Sequence, residues 1–293
     1  MPELPEVQTT VNGLNSTVKG RKILDVWSDY PIRKSTTSNG AGKMFTDSIK
    51  HKPFYKEFRK KVIGRKILKA ERRAKNILIH LSGGQTMLVH MKMTGHFVYD
   101  RPDYPHVRFS LKLDNGKALA LSDMRRFAKV TLIETKNLDK SLHLSNLGPE
   151  PLDEKFRIKN FESRIMKKPK SKIKTVLMDP PVIAGIGNIY SDEILWRAGV
   201  HPASIVSKIP KKNIGGMFRA TKILLKKGID FGGDSMSDYR NIKGERGKFQ
   251  EEHKAYGRTG MRCTKRGCKG KIPRMTIGGR SAHFCNKHQT LYA

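Results

Sequence analysis

VRFSLKLDNGKALALS, residues 107–122, is the stretch that decides the fold. Val107, Phe109, Leu111 and Leu113 alternate strictly with Arg108, Ser110, Lys112 and Asp114, the period of a strand with one buried face. Asn115-Gly116 then predicts a type I′ hairpin turn, with Leu119 and Leu121 on the return strand. Gly83-Gly84 separates Asn76–Leu81 from Thr86–His90 in the same way. Gly20-Arg21-Lys22-Ile23-Leu24 is echoed 44 residues later by Gly64-Arg65-Lys66-Ile67-Leu68, two similar strand starts rather than a repeat architecture. Short strands over residues 23–134, joined by tight turns, predict an antiparallel sandwich or barrel. Pro31–Gly42, rich in Ser, Thr, Asn and Gly, reads as a mobile loop within it.

Working outward, residues 5–18 read as a helix: Val7, Val11, Leu14 and Val18 recur at helical spacing and Pro5 suits a first turn. On the other side, Leu147-Gly148-Pro149-Glu150-Pro151 marks a boundary. Beyond it, residues 159–168, 171–178, 189–198 and 214–228 are helical in pattern, and Gly185-Ile186-Gly187-Asn188 splits the second from the third. After Gly257 the composition shifts to Cys, Lys, Arg and Gly. The expected organisation is α+β and multidomain: a β-sandwich over 1–135, a linker over 136–150, a helical domain over 151–258 and a terminal module over 259–293.

Composition narrows the partners. Among 293 residues, 59 Lys and Arg stand against 26 Asp and Glu, a net charge of +33. An excess of that size points to a polyanion held through salt-sensitive phosphate contacts. No apolar run is long enough to span a bilayer, so no membrane is expected. Met1–Glu6 is acidic and punctuated by proline, unlike a secretory signal. Only three cysteines are present, which suits a reduced compartment and a metal site better than a disulfide framework.

All three cysteines fall in Cys263-x4-Cys268-x16-Cys285-x2-His288. Two close pairs separated by a hairpin-length segment are what a tetrahedral zinc site needs, the alternative being free thiols. Four protein ligands leave no open position, so such an ion would be structural. Lys271–Ile277 and Arg280–Cys285 read as strands around Gly278-Gly279, which puts Arg280 at the hairpin tip.

The N-terminus carries a second constellation. Methionine before proline is commonly removed, exposing the secondary amine of Pro2. An α-amine titrates at about 7.7–8, against about 10.4 for lysine, and a helix start disfavours its protonated form further. Pro2 can therefore attack an electrophilic carbon, with Glu3 and Glu6 beside it as proton carriers. The same residues also suit a plain capped helix start. Arg72-Arg73-Ala74-Lys75 and Ser122-Asp123-Met124-Arg125-Arg126-Phe127 are basic clusters at strand ends, the second with an aromatic beside two arginines. Met93 reads as a second wedge or as core filler.

Taken in order, Pro2–Val7, Arg72–Lys75, His90–Gly95, Arg125–Phe127, Leu147–Leu152, Gly185–Tyr190, Gly244–Phe249, Tyr256-Gly257-Arg258 and the cysteine module resemble the formamidopyrimidine-DNA glycosylase family of bifunctional base-excision enzymes. The resemblance implies a β-sandwich with the nucleophile's helix, a helix–two-turns–helix domain and a zinc finger. It implies that Pro2 attacks C1′ of the damaged nucleotide, that Glu3 assists ring opening, that Lys75 lies near the lesion and that Arg280 grips phosphate. Met93, Arg125 and Phe127 match the trio that fills the void left by the flipped base. Glu6 matches an active-site carboxylate, and His106, Arg126, Lys170, Lys174, Asn188 and Tyr190 match DNA contacts around the lesion. The implied partner is double-stranded DNA with a damaged base, bound by a monomer in the cytoplasm or nucleoid, with one structural zinc ion per chain.

Three departures stand out. The finger has a four-residue first spacer and His288 in place of a fourth cysteine. Tyr104 stands where the family often has histidine, and Ala128 replaces a common glycine. Leu4 resembles the branch acting on oxidised purines, and the loop Asp234–Lys248 is long enough to cover a flipped purine. The sister branch acting on oxidised pyrimidines is one alternative. A non-catalytic zinc-ribbon nucleic-acid binder is another, though it would not need Pro2, Glu3, Lys75 and Arg280 together.

Overall fold

The computed structural model describes residues 1–30 and 48–293, so the loop expected at Pro31–Gly42 lies outside the described residues. The chain forms two compact units: residues 1–145 with 232–247, and residues 146–231 with 248–293. Among the described residues, no helix is long and apolar enough to cross a membrane.

In the first unit, helix α1 (Leu4–Thr17) precedes strand β1 (Ile23–Ser28) and helix α2 (Lys52–Val62). Then come β2 (Ile67–Arg73), β3 (Asn76–Leu81), β4 (Gln85–His90), β5 (His96–Tyr99), β6 (Val107–Leu113), β7 (Ala118–Ser122) and β8 (Lys129–Glu134). They make two antiparallel four-stranded sheets, ordered β1-β6-β7-β5 and β2-β3-β4-β8. Phe109, Leu111 and Leu121 of one sheet and Ile77, Ile79 and Val89 of the other share a single core with Val7, Val11 and Leu14 of α1. Each such fully buried side chain contributes roughly 1.5–3 kcal/mol, which is what fixes α1 against the strands.

The two echoed strand starts meet each other. Gly20 N–H donates to the Ile67 carbonyl (2.7 Å) and Gly64 N–H to the Ile23 carbonyl (2.8 Å); Ile23 N–H reaches Arg65 (2.9 Å) and Ile67 N–H reaches Arg21 (2.9 Å). The sequence echo is therefore a reciprocal corner joining the two sheets.

Two expectations need correction. The strand-like stretch 23–134 contains helix α2, whose Phe58 and Val62, four residues apart, are buried while the lysines between them face solvent. The dense Lys/Arg run masked this helical period. The turn after β6 is not type I′ either: Gly116 is left-handed (φ 77°) but Asn115 is not. Gly116 N–H donates to the Leu113 carbonyl (3.2 Å), so the loop is a type I turn closed by a left-handed glycine, the usual three-residue solution.

Residues 232–247, read from sequence within the helical domain, return to the first unit. Tyr99 N–H donates to the Ile242 carbonyl (2.8 Å), and Ile242 enters the sandwich core. Gly13, in mid-helix, makes this approach possible: a Cβ there would lie 2.6 Å from Ile242 Cγ2.

The second unit holds α3 (Ile158–Ile165), α4 (Ile173–Leu177), α5 (Asn188–Ala198) and α6 (Lys211–Asp230), then the hairpin β9 (Arg274–Ile277) and β10 (Arg280–His283). Helix α5 packs on α6 and on β10. Phe161 of α3 packs edge to face on Phe156 and on Phe218 of α6, with the three ring centroids 5.9–6.4 Å apart.

Candidate active site and metal centre

The start of α1 concentrates acid groups out of water. Pro2, Glu3 and Glu6 are all buried. Glu6 Oε2 accepts the Glu3 N–H (2.7 Å) and Oε1 accepts the N–H of Asp234 (2.8 Å). The Glu6 carbonyl accepts the hydroxyls of Tyr239 (2.9 Å) and Thr10 (2.9 Å). Burial, then the neighbouring charge of Glu3, pushes the Glu6 carboxyl up to about 7. A group titrating there can both take and give a proton at neutral pH. Asp234 and Tyr239 were not foreseen as partners of Glu6; only the paired glycines 232–233, which let the chain turn, hint at it.

A second group lies at the strand ends of the same unit. Among the described residues, five non-glycine ones there are left-handed: Ala74, Lys92, Asp100, His106 and Arg126. Two of them directly precede Lys75 and Met93, and two are themselves expected DNA contacts. Each such conformation costs about 1–2 kcal/mol, and strain of this kind collects where loops are held for a purpose. Lys75 and Met93 are half-buried, and Arg125, Phe127 and His106 are exposed. The Arg125 guanidinium stacks 4.7 Å over the ring of Phe127, so the two form one protruding unit. Arg126 bonds the carbonyl (2.8 Å) and carboxylate (3.3 Å) of Asp29. Tyr104 hydrogen-bonds His96 (3.1 Å). The methyl of Ala128 is fully buried facing Gly95, where a Cβ would sit 3.2 Å from it.

In the second unit, Asn188 opens α5 and its amide donates to the Ser281 hydroxyl (3.2 Å), beside exposed Arg280 at the start of β10. Lys170 is exposed. Two expected contacts are placed differently. Tyr190 is fully buried, stacked on Phe249 with centroids 4.8 Å apart. Lys174 is also fully buried: its ammonium donates to Asp192 (2.5 Å), the Ser191 hydroxyl (3.1 Å) and the Asn188 carbonyl (3.3 Å). Both lie on enclosed helices: residues 190–195 of α5 are buried all round, and in α4 Lys174 is buried together with Ile173, Val176 and Leu177. Asp192 also accepts the N–H (2.9 Å) and Nδ1 (3.0 Å) of His283 on β10. Glu193 accepts the N–H groups of Lys254, Ala255 and Tyr256. Sequence reading missed these carboxylates, although acids between Ile189 and Ile194 on an apolar helix were a signal.

The cysteine module converges as its spacing suggests. One atom each from Cys263, Cys268, Cys285 and His288 lies within 4.8 Å of all the others, a group that could hold a metal ion. Cys268 and Cys285 sulfurs are 3.6 Å apart, and His288 Nδ1 is 3.4 Å from Cys263 Sγ. His288 Nε2 lies 3.0 Å from the Trp196 carbonyl. Donation there fixes the tautomer that leaves Nδ1 as the ligating nitrogen. Gly270 and Lys287 N–H groups point at Cys268 and Cys285 sulfurs (3.4 Å each), as they would toward thiolates.

Comparison with known proteins agrees with this architecture. Residues 1–130 match the formamidopyrimidine-DNA glycosylase N-terminal domain, and residues 147–240 match the formamidopyrimidine-DNA glycosylase H2TH domain. A formamidopyrimidine-DNA glycosylase of Pelotomaculum thermopropionicum is 35% identical over 288 residues, covering 97% of this chain and 98% of the relative. Among solved structures, a Lactococcus lactis Fpg mutant in complex with Fapy-dG-containing DNA matches with a TM-score of 0.85 at 29% identity, over 99% of this chain and 100% of that one. The wild-type Lactococcus lactis protein bound to DNA containing an oxidised pyrimidine matches with a TM-score of 0.84, at 29% identity and the same coverage. The chain belongs to the formamidopyrimidine-DNA glycosylase family.

Proposed function

We propose that this member of the family removes oxidised purines, 8-oxoguanine and formamidopyrimidines, from duplex DNA and then cuts the strand, with Pro2 as nucleophile. The observation that carries the reading is the buried start of α1, where Pro2 adjoins two carboxylates, one of them titrating near neutrality. A base inside a duplex is out of reach, so it must be flipped at a cost of a few kcal/mol. Met93 and the stacked Arg125–Phe127 pair offset that cost by filling the gap, and Arg125 meets the orphaned base. Leu4 favours the purine branch.

Once Met1 is removed, the Pro2 nitrogen attacks C1′. The bond from C1′ to the base breaks, and the base leaves with its electron pair and a proton. Glu3 protonates the sugar ring oxygen as the ring opens, giving an iminium on Pro2. This acidifies C2′; loss of its proton expels the 3′ phosphate, and a second elimination expels the 5′ phosphate. Water then releases the sugar fragment and restores the amine. Lys75, Arg280, His106, Arg126, Lys170 and Asn188 hold phosphates around the lesion, while Lys174 and Tyr190 act from beneath by fixing α4 and α5. Cys263, Cys268, Cys285 and His288 hold one structural zinc ion, a donor set that suits zinc, and so keep the Arg280 hairpin in shape. The protein acts as a monomer on chromosomal DNA.

Borohydride trapping tests this on duplexes carrying 8-oxoguanine opposite cytosine or dihydrouracil. The expected result is a covalent band, stronger with 8-oxoguanine and absent in Pro2→Gly. A stronger dihydrouracil band would move the protein to the pyrimidine branch. Tight binding with no band on either duplex would leave a non-catalytic DNA binder.

A further inference from the structure

One fully buried carboxylate ties together three segments of the first unit. Asp123, at the end of β7, accepts the Thr94 hydroxyl on Oδ1 (2.6 Å), and on Oδ2 both the Tyr30 hydroxyl (3.0 Å) and the Ala128 N–H (2.7 Å). Its own N–H donates to the His106 carbonyl (2.9 Å), and its carbonyl accepts the Arg126 N–H (3.2 Å). The Thr94 hydroxyl in turn accepts the Arg125 N–H (3.0 Å). Burial, then the Asp123 charge, raises the Tyr30 phenol well above its ordinary range, which keeps it a donor.

Each segment that carries a wedge side chain, half-buried Met93 or exposed Arg125 and Phe127, ends on this group. Met93 is the neighbour of Thr94; Arg125 and Phe127 lie in the five-residue loop 124–128 that Asp123 closes at both ends. Three of the left-handed residues, Lys92, His106 and Arg126, lie within that network or beside it. Backbone in those conformations relaxes unless its surroundings over-determine it.

We propose that Asp123 is the positioning residue of the wedge, holding Met93, Arg125 and Phe127 as one preformed element before DNA arrives. This rests on the reading of those three residues as the wedge. Asp123 itself is out of reach of DNA and acts only through the loops it bonds. A preformed wedge needs no ordering at the moment of insertion, which raises both the rate of base opening and discrimination of the orphaned base.

The test uses the full-length protein on a duplex with 8-oxoguanine flanked by 2-aminopurine, which brightens when unstacked. Three readouts are taken: the 2-aminopurine rise, the excision preference for cytosine over adenine opposite the lesion, and borohydride trapping at a preformed abasic site. Asp123→Asn removes one acceptor of the carboxylate, and Thr94→Val removes the hydroxyl that relays it to Arg125. Losing a bond to a charged acceptor should reduce the opening rate and the opposite-base preference by about tenfold in both variants. Trapping at the abasic site, which has no base to evict, should stay within about twofold on the same reasoning. Opening and preference within about twofold of the parent would overturn the proposal. So would an equal fall in all three readouts, which is the mark of a merely structural residue. If Asp123→Asn does not fold, Thr94→Val decides by itself, since it keeps the carboxylate. A parent protein that neither traps nor brightens 2-aminopurine would instead sink the functional reading, and the wedge with it.

Discussion

Helices α1 and α5 both carry buried carboxylates within their first two turns, yet the two groups are built on opposite principles. Asp192 in α5 is matched with cationic or donor groups: the Lys174 ammonium on one oxygen and His283 on the other. Glu6 in α1 faces two backbone N–H donors and a second acid, Glu3, with burial and like charge raising its titration to about neutral pH. The first arrangement locks a structure, since neither partner can be removed without stranding a buried charge. The second keeps a proton available. What separates a structural buried acid from one suited to chemistry is therefore its company, not its depth.

The largest test of that contrast is Asp192→Asn. It should cost about 3–5 kcal/mol by leaving Lys174 without its anion, read by urea unfolding with Trp196 as reporter in a Trp27→Phe background. An effect below about 1 kcal/mol, the size of one ordinary hydrogen bond, would mean that the pair is not what docks the hairpin on α5.

Glu6→Gln should behave differently, through pH. Folded Glu6 titrates at about 7 against its usual 4.5, so the folded state holds a proton that the unfolded chain releases between those values. Its contribution to stability is full below the lower value and falls as pH rises through the upper one, by about 3 kcal/mol in all. Unfolding followed by Trp27 at pH 5 and 7.5 should show the parent losing more stability than Glu6→Gln across that interval. Parallel pH profiles for the two proteins would break the comparison. The smallest effect is expected from Ser281→Ala, which removes one partly buried bond to Asn188 and should lower the stability reported by Trp196 by about 0.5–1 kcal/mol. A larger loss would show that Asn188 and Ser281, rather than Asp192, anchor the Arg280 hairpin.

The sequence was most legible where a local rule governs the outcome. Alternation over Val107–Leu113 is strand β6, the helical spacing of Val7, Val11 and Leu14 is α1, and the cysteine spacing is a converged ligand set. It failed where composition hid the period, as in Lys52–Val62, whose charged residues obscured Phe58 and Val62. It also failed where distant chain segments meet. Asp123, Asp192, Glu193 and Asp234 are short-range unremarkable acids whose roles depend on partners up to 228 residues away, as with Asp234 and Glu6. Ala74, Lys92 and Arg126 carry left-handed backbone without the glycine that would have announced it.

The return of residues 232–247 to the first unit has a consequence for the gene as well as for the protein. The first unit is written in two pieces, with residues 146–231 between them, and the second is likewise interrupted by the strap. No single cut in the chain releases either unit both whole and free of the other's residues: a fragment ending at residue 145 lacks Asp234, Tyr239 and Ile242, the groups that embrace Glu6 and seal the sandwich. The two units are thus not interchangeable cassettes, and shuffling either one to another protein would need paired junctions on both sides of the strap.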